Sequence, residues 1–285
     1  MIMIDAHTQV IGLIGNPLGH SLSPHMHNGT LSRMGINCVY LPFEVQPEHL
    51  PEAVLGLRAL NIRGVNVTIP YKQEVIPYLD ELSPEAEACG AVNLIKNADN
   101  RLIGYNTDGP GFMASLVEAG AGQIAKAVLI GAGGAAHSLA FQLIQAGIRD
   151  LQIFDLEIDR AIELANFVGS LGEGRAEGHR MNEELFVRLS SDADLIVNCT
   201  PVGMYPHTED CPVSNLTQVR SGTIIYDLIY NPLTTCFLST AQARGLKTIN
   251  GLDMLIHQGA LTLEILLGIR PPIALMKEVV TNRAG

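Results

Sequence analysis

At 285 residues, with 47% hydrophobic and 16% charged residues, the chain is long enough for two domains and apolar enough to fill sizeable cores. A net charge of −11 excludes nucleic acid as the main partner, because a phosphate backbone needs a basic stripe and the sequence has none. No run approaches the roughly 18 apolar residues of a membrane span, "MIMIDAHTQVIG" has an acidic residue where a signal peptide is basic, and the five scattered cysteines form no CxxC pair, so a cytoplasmic protein with no membrane partner is expected.

"QVIGLIG" reads as a strand, followed by a helix over "SPHMHNGTLSRMG". Ser23 is a candidate cap for that helix, Pro24 stands in its first turn and Gly35 follows its end. "CVYLPFEV" predicts a strand, "PEHLPEAVLGLRAL" a helix, and "RGVNVTIP" a strand whose pairing stops at Pro70. "AVNLIKNADNRLIGYN" predicts a hairpin turning at Ala98–Asn100, and "DGPGFMASLVEAG" a helix after Asp108. The alternation restarts at "KAVLIGAGG", with strands at "DLQIFD", "ADLIVNC" and "TIIYDL". Helices over "GLDMLIHQGALTLEILLG" and "PPIALMKEVVTN" close the chain. This pattern implies an α/β protein with parallel sheets and crossover helices, and a seam near Asp108–Gly111.

"AVLIGAGGAAHSLAFQL" puts Gly131, Gly133 and Gly134 between a strand and a helix. Bare backbone there lets a pyrophosphate approach the helix N-terminus, where free N–H groups and the dipole favour anions. The spacing is not the usual G-x-G-x-x-G, and a tight βα turn is the alternative reading of the glycines. Asp155 ends the next strand, 24 positions after Gly131 and near the place of the acidic residue that holds an adenosine ribose. Its carboxylate would accept from a 2′-hydroxyl and repel a 2′-phosphate, so NAD is expected over NADP. Asp155 could also cap the helix over "EIDRAIELANFV", and the two roles are compatible.

The first half gathers polar residues where strands pass into loops or helices. They are Asn66, Thr68 and Lys72 in "NVTIPYKQ", Ser21 and Ser23 in "GHSLSP", Asn93 in "GAVN" and Asp108 in "GYNTDG". Open α/β sheets bind ligands at the carboxyl ends of their strands. A lysine and a carboxylate meeting there could relay a proton at a reacting hydroxyl. Each residue has a local reading as well: caps for Ser23 and Asp108, a solvated lysine, amides satisfying nearby backbone. Their concurrence carries the signal. No metal is expected, because His25 and His27 of "HSLSPHMH" stand two apart and share no helix face, the nearby His20 completes no ligand set, and HExxH and Cys/His patterns are missing.

The motifs "SLSP", "NVTIPYK", "GAVN", "GYNTDG", "GAGGAA", "TPVGM", "YNP" and "GLDMLIHQG" follow one another between residue 12 and about residue 260. In that order they resemble the shikimate dehydrogenases, including their quinate/shikimate relatives. The resemblance implies reversible reduction of 3-dehydroshikimate to shikimate with a nicotinamide cofactor, in the aromatic amino-acid pathway. It also implies a substrate-binding domain of residues 1–108 plus 252–285 and a Rossmann-type dinucleotide-binding domain of residues 109–251. Carried onto matching positions, Ser21 and Ser23 would hold the substrate carboxylate, with Tyr230 near that end. Asn66, Thr68, Asn93 and Gln258 would bind ring hydroxyls, and Lys72 and Asp108 would be the catalytic pair. Gly131, Gly133, Gly134, Ala135, Asp155 and Thr200 would line the cofactor site, with Gly251 and Met254 near the nicotinamide.

NADP-dependent members commonly carry "NR[ST]" after the second Rossmann strand, and here Asp155-Leu156-Glu157 stand instead. That agrees with an NAD expectation and keeps quinate open as a second substrate, since NAD-preferring members often take both. Serine at both positions of "SLSP" leans toward shikimate. The expected partner is a small molecule, bound by a monomer or homodimer. A non-catalytic metabolite sensor would have no need of the Lys72–Asp108 relay. A folate-type dehydrogenase would want aromatic stacking, and the chain has no Trp and only 5% aromatics.

Overall fold

The computed structural model describes residues 4–19, 21–171 and 174–281. In chain order come β1 (Gln9–Gly15), α1 (Ser23–Arg33), β2 (Cys38–Glu44), α2 (Leu50–Ala59), β3 (Gly64–Val67), β4 (Glu81–Leu82), α3 (Pro84–Cys89), β5 (Leu94–Ala98), β6 (Arg101–Tyr105) and α4 (Asp108–Glu118). Then follow β7 (Lys126–Ile130), α5 (Gly134–Gln145), β8 (Asp150–Asp155), α6 (Ile158–Gly169), β9 (Arg175–Arg180), α7 (Glu183–Ser190), β10 (Leu195–Asn198), β11 (Ile224–Asp227), α8 (Cys236–Ala243) and β12 (Lys247–Ile249). Helices α9 (Leu252–Leu267) and α10 (Ile273–Thr281) close the chain. The fold is α/β and divides into two compact units, Met1–Gly111 with Leu255–Gly285, and Phe112–Met254.

The first unit is built on a sheet ordered β2-β1-β3-β5-β6-β4. Alternation of side chains sends Ile14, Val65, Val67 and Ile95 to one face, under Leu50, Val54 and Leu57 of α2. Those three stand at helical spacing, which makes one apolar stripe on α2. The opposite face takes Ile11, Leu13, Tyr40 and Leu94, covered by Leu31 of α1 and by Leu263 and Leu266 of α9. Gly64 is a close approach: a β-carbon there would lie 2.4 Å from Leu266 and 2.5 Å from the Ile95 carbonyl. β1 runs parallel to β2 and β3, but β5 is antiparallel to β3 and β6. The sheet is therefore mixed, its antiparallel pair β5–β6 being the hairpin expected over "AVNLIKNADNRLIGYN". The cause is the hairpin loop, Asp99 and Asn100 at φ 51° and 67°, since so short a loop can join only antiparallel strands.

His27 of α1 is fully buried in this unit, stacked on Tyr40 with ring centroids 4.4 Å apart. Neither ring nitrogen has a hydrogen-bond partner, and burial holds its pKa down to about 3. A depressed pKa means that the native state binds fewer protons than the unfolded chain between about pH 3 and the ordinary histidine value near 6.5. Its contribution is thus full above pH 6.5 and lost as the pH falls toward 3. His27→Phe, which keeps the stack, is expected to flatten the acid side of a plot of thermal midpoint against pH. Parallel acid losses in both proteins would assign the effect to other groups.

The second unit has an all-parallel sheet ordered β12-β11-β10-β7-β8-β9, with the order reversing between β7 and β10. Its two faces carry separate apolar clusters. Phe112 and Leu116 of α4, Leu139 and Leu143 of α5 and Leu164 and Val168 of α6 cover one. Phe186 and Val187 of α7 and Phe237, Leu238 and Ala241 of α8 cover the other. Gly178 of β9 lets α6 lie against the sheet, since a β-carbon there would meet the Ala161 backbone at 2.3 Å. This is the doubly wound arrangement that binds ligands at the point where the strand order reverses.

Candidate active site

The chain leaving β3 turns at Pro70 and is tied down at several backbone points. Thr68 N donates to the Ile14 carbonyl (2.9 Å), Val67 N to Asn93 (2.8 Å), and Val92 N to the Lys72 carbonyl (2.7 Å). The Lys72 turn and the Asn93 segment therefore clamp each other. Lys72 Nζ donates to Asp108 Oδ2 at 2.5 Å, and the two side chains are only 14% and 7% exposed. Asn93 donates one amide hydrogen to Asp108 Oδ1 and the other to Thr107 Oγ1, both at 2.8 Å, and its side-chain oxygen accepts from Thr107 N. The reading of Asp108 as a helix cap fails. Asn106 does that work, accepting from Asp108 N (3.1 Å) and Gly109 N (3.4 Å), which leaves the Asp108 carboxylate to Lys72 and Asn93. An ammonium has three donors, so one committed to Asp108 leaves two for a ligand oxygen.

Asn66, Thr68, Ser21, Ser23 and Gln258 belong to the same unit. Asn66 is buried, and its amide spends both hydrogens on protein, at Thr262 Oγ1 (2.9 Å) and the Asn93 carbonyl (3.2 Å). Its oxygen accepts from Tyr40 Oη at 2.9 Å, so toward a ligand Asn66 can only accept. Gln258 lies one helical turn before Thr262, hence on the same face of α9, and donates to the Leu255 carbonyl at 2.8 Å. Ser23 is not a cap: α1 starts at Ser23 with Leu22 in the capping position, and Ser21 Oγ accepts from Ser23 N at 3.2 Å. Thr68 is half-buried, its methyl 2.4 Å from where a β-carbon on Gly15 would stand.

Tyr230, half-buried in the loop after β11, belongs to the second unit, as do the cofactor-side candidates. Gly131 follows β7 at φ 99°, and a β-carbon there would stand 2.8 Å from Thr200 Cγ2. Gly133 takes the capping position of α5, whose first turn holds Gly134 and Ala135. Thr200 is fixed by Asn198, whose side-chain oxygen accepts from its backbone N (3.0 Å) and its hydroxyl (2.7 Å). Gly251 N donates to the Ile229 carbonyl, and a β-carbon there would collide with Leu228 O at 1.9 Å. Met254 is buried in α9. Bare glycine backbone at a helix N-terminus, at the strand-order switch point, fits a dinucleotide pyrophosphate.

Asp155 turns its carboxylate inward, accepting from Ala132 N at 2.7 Å and Glu157 N at 3.0 Å. Arg160, in the first turn of α6, places Nη2 3.9 Å from the β-carbon position of Gly133. Among the described residues no three His, Cys, Asp or Glu side chains could hold a metal, and no helix is long and apolar enough to cross a membrane. His25 reaches the Val279 carbonyl at 3.0 Å, and His20 lies outside the described residues.

Residues 13–95 match the model of the shikimate dehydrogenase substrate binding domain, and residues 251–281 that of the shikimate 5′-dehydrogenase C-terminal domain. A shikimate dehydrogenase (NADP(+)) of Syntrophomonas wolfei is 54% identical over 280 residues, 98% of this chain and 97% of its own. The chain belongs to the shikimate dehydrogenase family. It is an enzyme, an oxidoreductase. The shikimate dehydrogenase (NADP(+)) of Moorella thermoacetica is 44% identical, covering 100% of this chain and 97% of its own. A shikimate dehydrogenase solved with NADP+ superposes with a TM-score of 0.91 at 40% identity, over 99% of this chain and 98% of that one. Listeria monocytogenes shikimate 5-dehydrogenase, solved with shikimate and NAD, gives 0.89 at 37% identity, over 97% and 98%.

These relatives overturn the expectation of NAD. Those from Syntrophomonas wolfei, Moorella thermoacetica, Desulforamulus reducens and Carboxydothermus hydrogenoformans are all named for NADP(+). The physical reason lies at Asp155 and Arg160. The argument for NAD took Asp155 to face the ribose, whereas each of its oxygens accepts from a backbone amide of its own loop, and the Arg160 guanidinium brings a positive charge to the glycine loop. Tyr40, Asn106, Thr262 and Arg160 were not singled out from sequence, and only Asn106, inside "GYNTDG", stood within a recognised motif.

Proposed function

We propose that this protein catalyses the reversible oxidation of shikimate to 3-dehydroshikimate with NADP, its first unit holding the substrate and its second the dinucleotide. The observation that carries the reading is the buried Lys72–Asp108 pair, set by Asn93. A bound nicotinamide supplies the hydride acceptor. During oxidation Lys72 takes the hydroxyl proton as the neutral amine, and during reduction the ammonium so formed returns it. Asp108 keeps the ammonium in place, and Asn93 keeps the carboxylate from turning. Ser21 and Ser23 serve the substrate carboxylate. Thr68 and Gln258 serve ring hydroxyls, and Asn66 accepts only.

On the cofactor side the Gly131–Ala135 backbone, Thr200, Gly251 and Met254 form the cradle. Asp155 shapes the loop through Ala132, and Arg160 offers the 2′-phosphate a charge. The free cysteines Cys38, Cys89, Cys199, Cys211 and Cys236 suit a reducing compartment, and for that reason we place the enzyme in the cytoplasm.

The test is steady-state oxidation of shikimate and of quinate, each with NADP+ and NAD+, followed by nicotinamide absorbance. Shikimate with NADP+ is expected to give the highest kcat/KM, by roughly tenfold over NAD+ if one charge-assisted hydrogen bond reads the phosphate. A faster reaction with quinate would move the substrate assignment. No reaction with either acid would sink the proposal.

A further inference from the structure

At the end of β11 the carboxylate of Asp227 is wholly buried, and each of its hydrogen-bond partners among the described residues is neutral. Burial pushes its pKa up to about 6. A buried carboxylate without a cation opposes stability, so its place in the fold asks for another reason.

Three threads leave it. Oδ1 accepts from Asn198 Nδ2 at 3.0 Å, across the register pair that joins β10 to β11. Because an ionised carboxylate only accepts, it decides which end of the Asn198 amide faces it. The NH2 must point to Asp227 and to the Val202 carbonyl (3.3 Å), so the Asn198 oxygen must point to Thr200, where it takes both the backbone N–H and the hydroxyl. Oδ1 also accepts from Ile229 N at 3.1 Å, fixing the turn whose Leu228 and Ile229 carbonyls pack on and bond to Gly251. Oδ2 accepts from the Thr235 hydroxyl at 2.6 Å, and that hydroxyl in turn accepts from Leu238 N to cap α8.

We propose that Asp227 is a positioning residue for the cofactor site, an acceptor-only hub that orients Asn198, and through it Thr200, against the glycine loop while seating the 228–229 turn on Gly251. The inference rests on the reading of this unit as the dinucleotide-binding half.

Asp227→Asn keeps size and shape but supplies a donor, so the Asn198 amide is free to turn over. The expected result is an NADP+ Kd raised about tenfold in calorimetry, the effect of losing one well-placed hydrogen bond to a charged group. KM for NADP+ should follow, while the shikimate Kd of cofactor-free protein stays within about twofold, because that set of residues is untouched. The thermal midpoint at pH 7 should hold or rise, since a buried charge is removed; a merely structural role would lower it and weaken both ligands alike. Should that variant not fold, Thr235→Val removes the donor to Oδ2 and is expected to weaken NADP+ to a smaller extent, with Thr235→Ser restoring it. Unchanged NADP+ affinity in Asp227→Asn, or in Thr235→Val where the first does not fold, overturns the inference. A wild type that binds NADP+ without oxidising shikimate sinks the substrate reading but not this comparison, whereas one that binds no dinucleotide overturns both.

Discussion

Lys72→Ala is expected to lower kcat for shikimate oxidation by roughly 10²–10⁴, the usual range for a general acid–base group. The structure sharpens what should accompany that loss. Lys72 belongs to the first unit, so KM for NADP+ should move little. The variant leaves Asp108 buried with Asn93 as its side-chain partner, so some stability should go as well, and the thermal midpoint must be measured beside the rate. Lys72→Arg separates two roles. Arginine keeps the cation beside Asp108 but does not give up its proton, so a polarising role survives in it and a proton-transferring role does not. Near-normal kcat in Lys72→Ala would remove the residue from the chemistry altogether.

Sequence made this pair legible because both residues follow a strand, in the short polar motifs "NVTIPYK" and "GYNTDG". What it could not show was direction. Asp108 opens a helix, and any aspartate there looks like a cap; only the three-dimensional turn shows Asn106 taking the two free amides. Asn66 looked like a ligand-binding amide, yet its partners Tyr40 and Thr262 lie 26 and 196 positions away, a distance no local pattern reports. The mixed first sheet was implicit in "NADN", whose Asp99 and Asn100 suit the left-handed turn of a hairpin. The β9 strand "RAEGHR" lacks an apolar run and forms because β8 offers it a parallel edge and Gly178 admits α6.

Asp155 shows the same gap with larger consequences. A carboxylate at that strand end can face a ribose or its own loop, and the sequence is identical in either case. Here it holds Ala132 and Glu157, and Arg160, a helix residue that nothing in the sequence singled out, stands beside Gly133.

Arg160→Ala is therefore expected to raise KM for NADP+ by about 10–100-fold, the worth of one or two charge-assisted hydrogen bonds, and to leave KM for NAD+ within about threefold. Arg160 gives up little to do this work: its contact with Glu157 is 3.9 Å long, with both side chains about half exposed or more, and such pairs are weak. Arg160→Lys should recover part of the preference, because an ammonium keeps the charge but loses the planar fork that fits a phosphate edge. Asp155→Ala should loosen the loop through Ala132 and weaken both dinucleotides together, where a ribose role would weaken NAD+ selectively. If Arg160→Ala also weakens both alike, Arg160 serves the pyrophosphate that NAD+ and NADP+ share, and the 2′-phosphate must be read by another group on the loop.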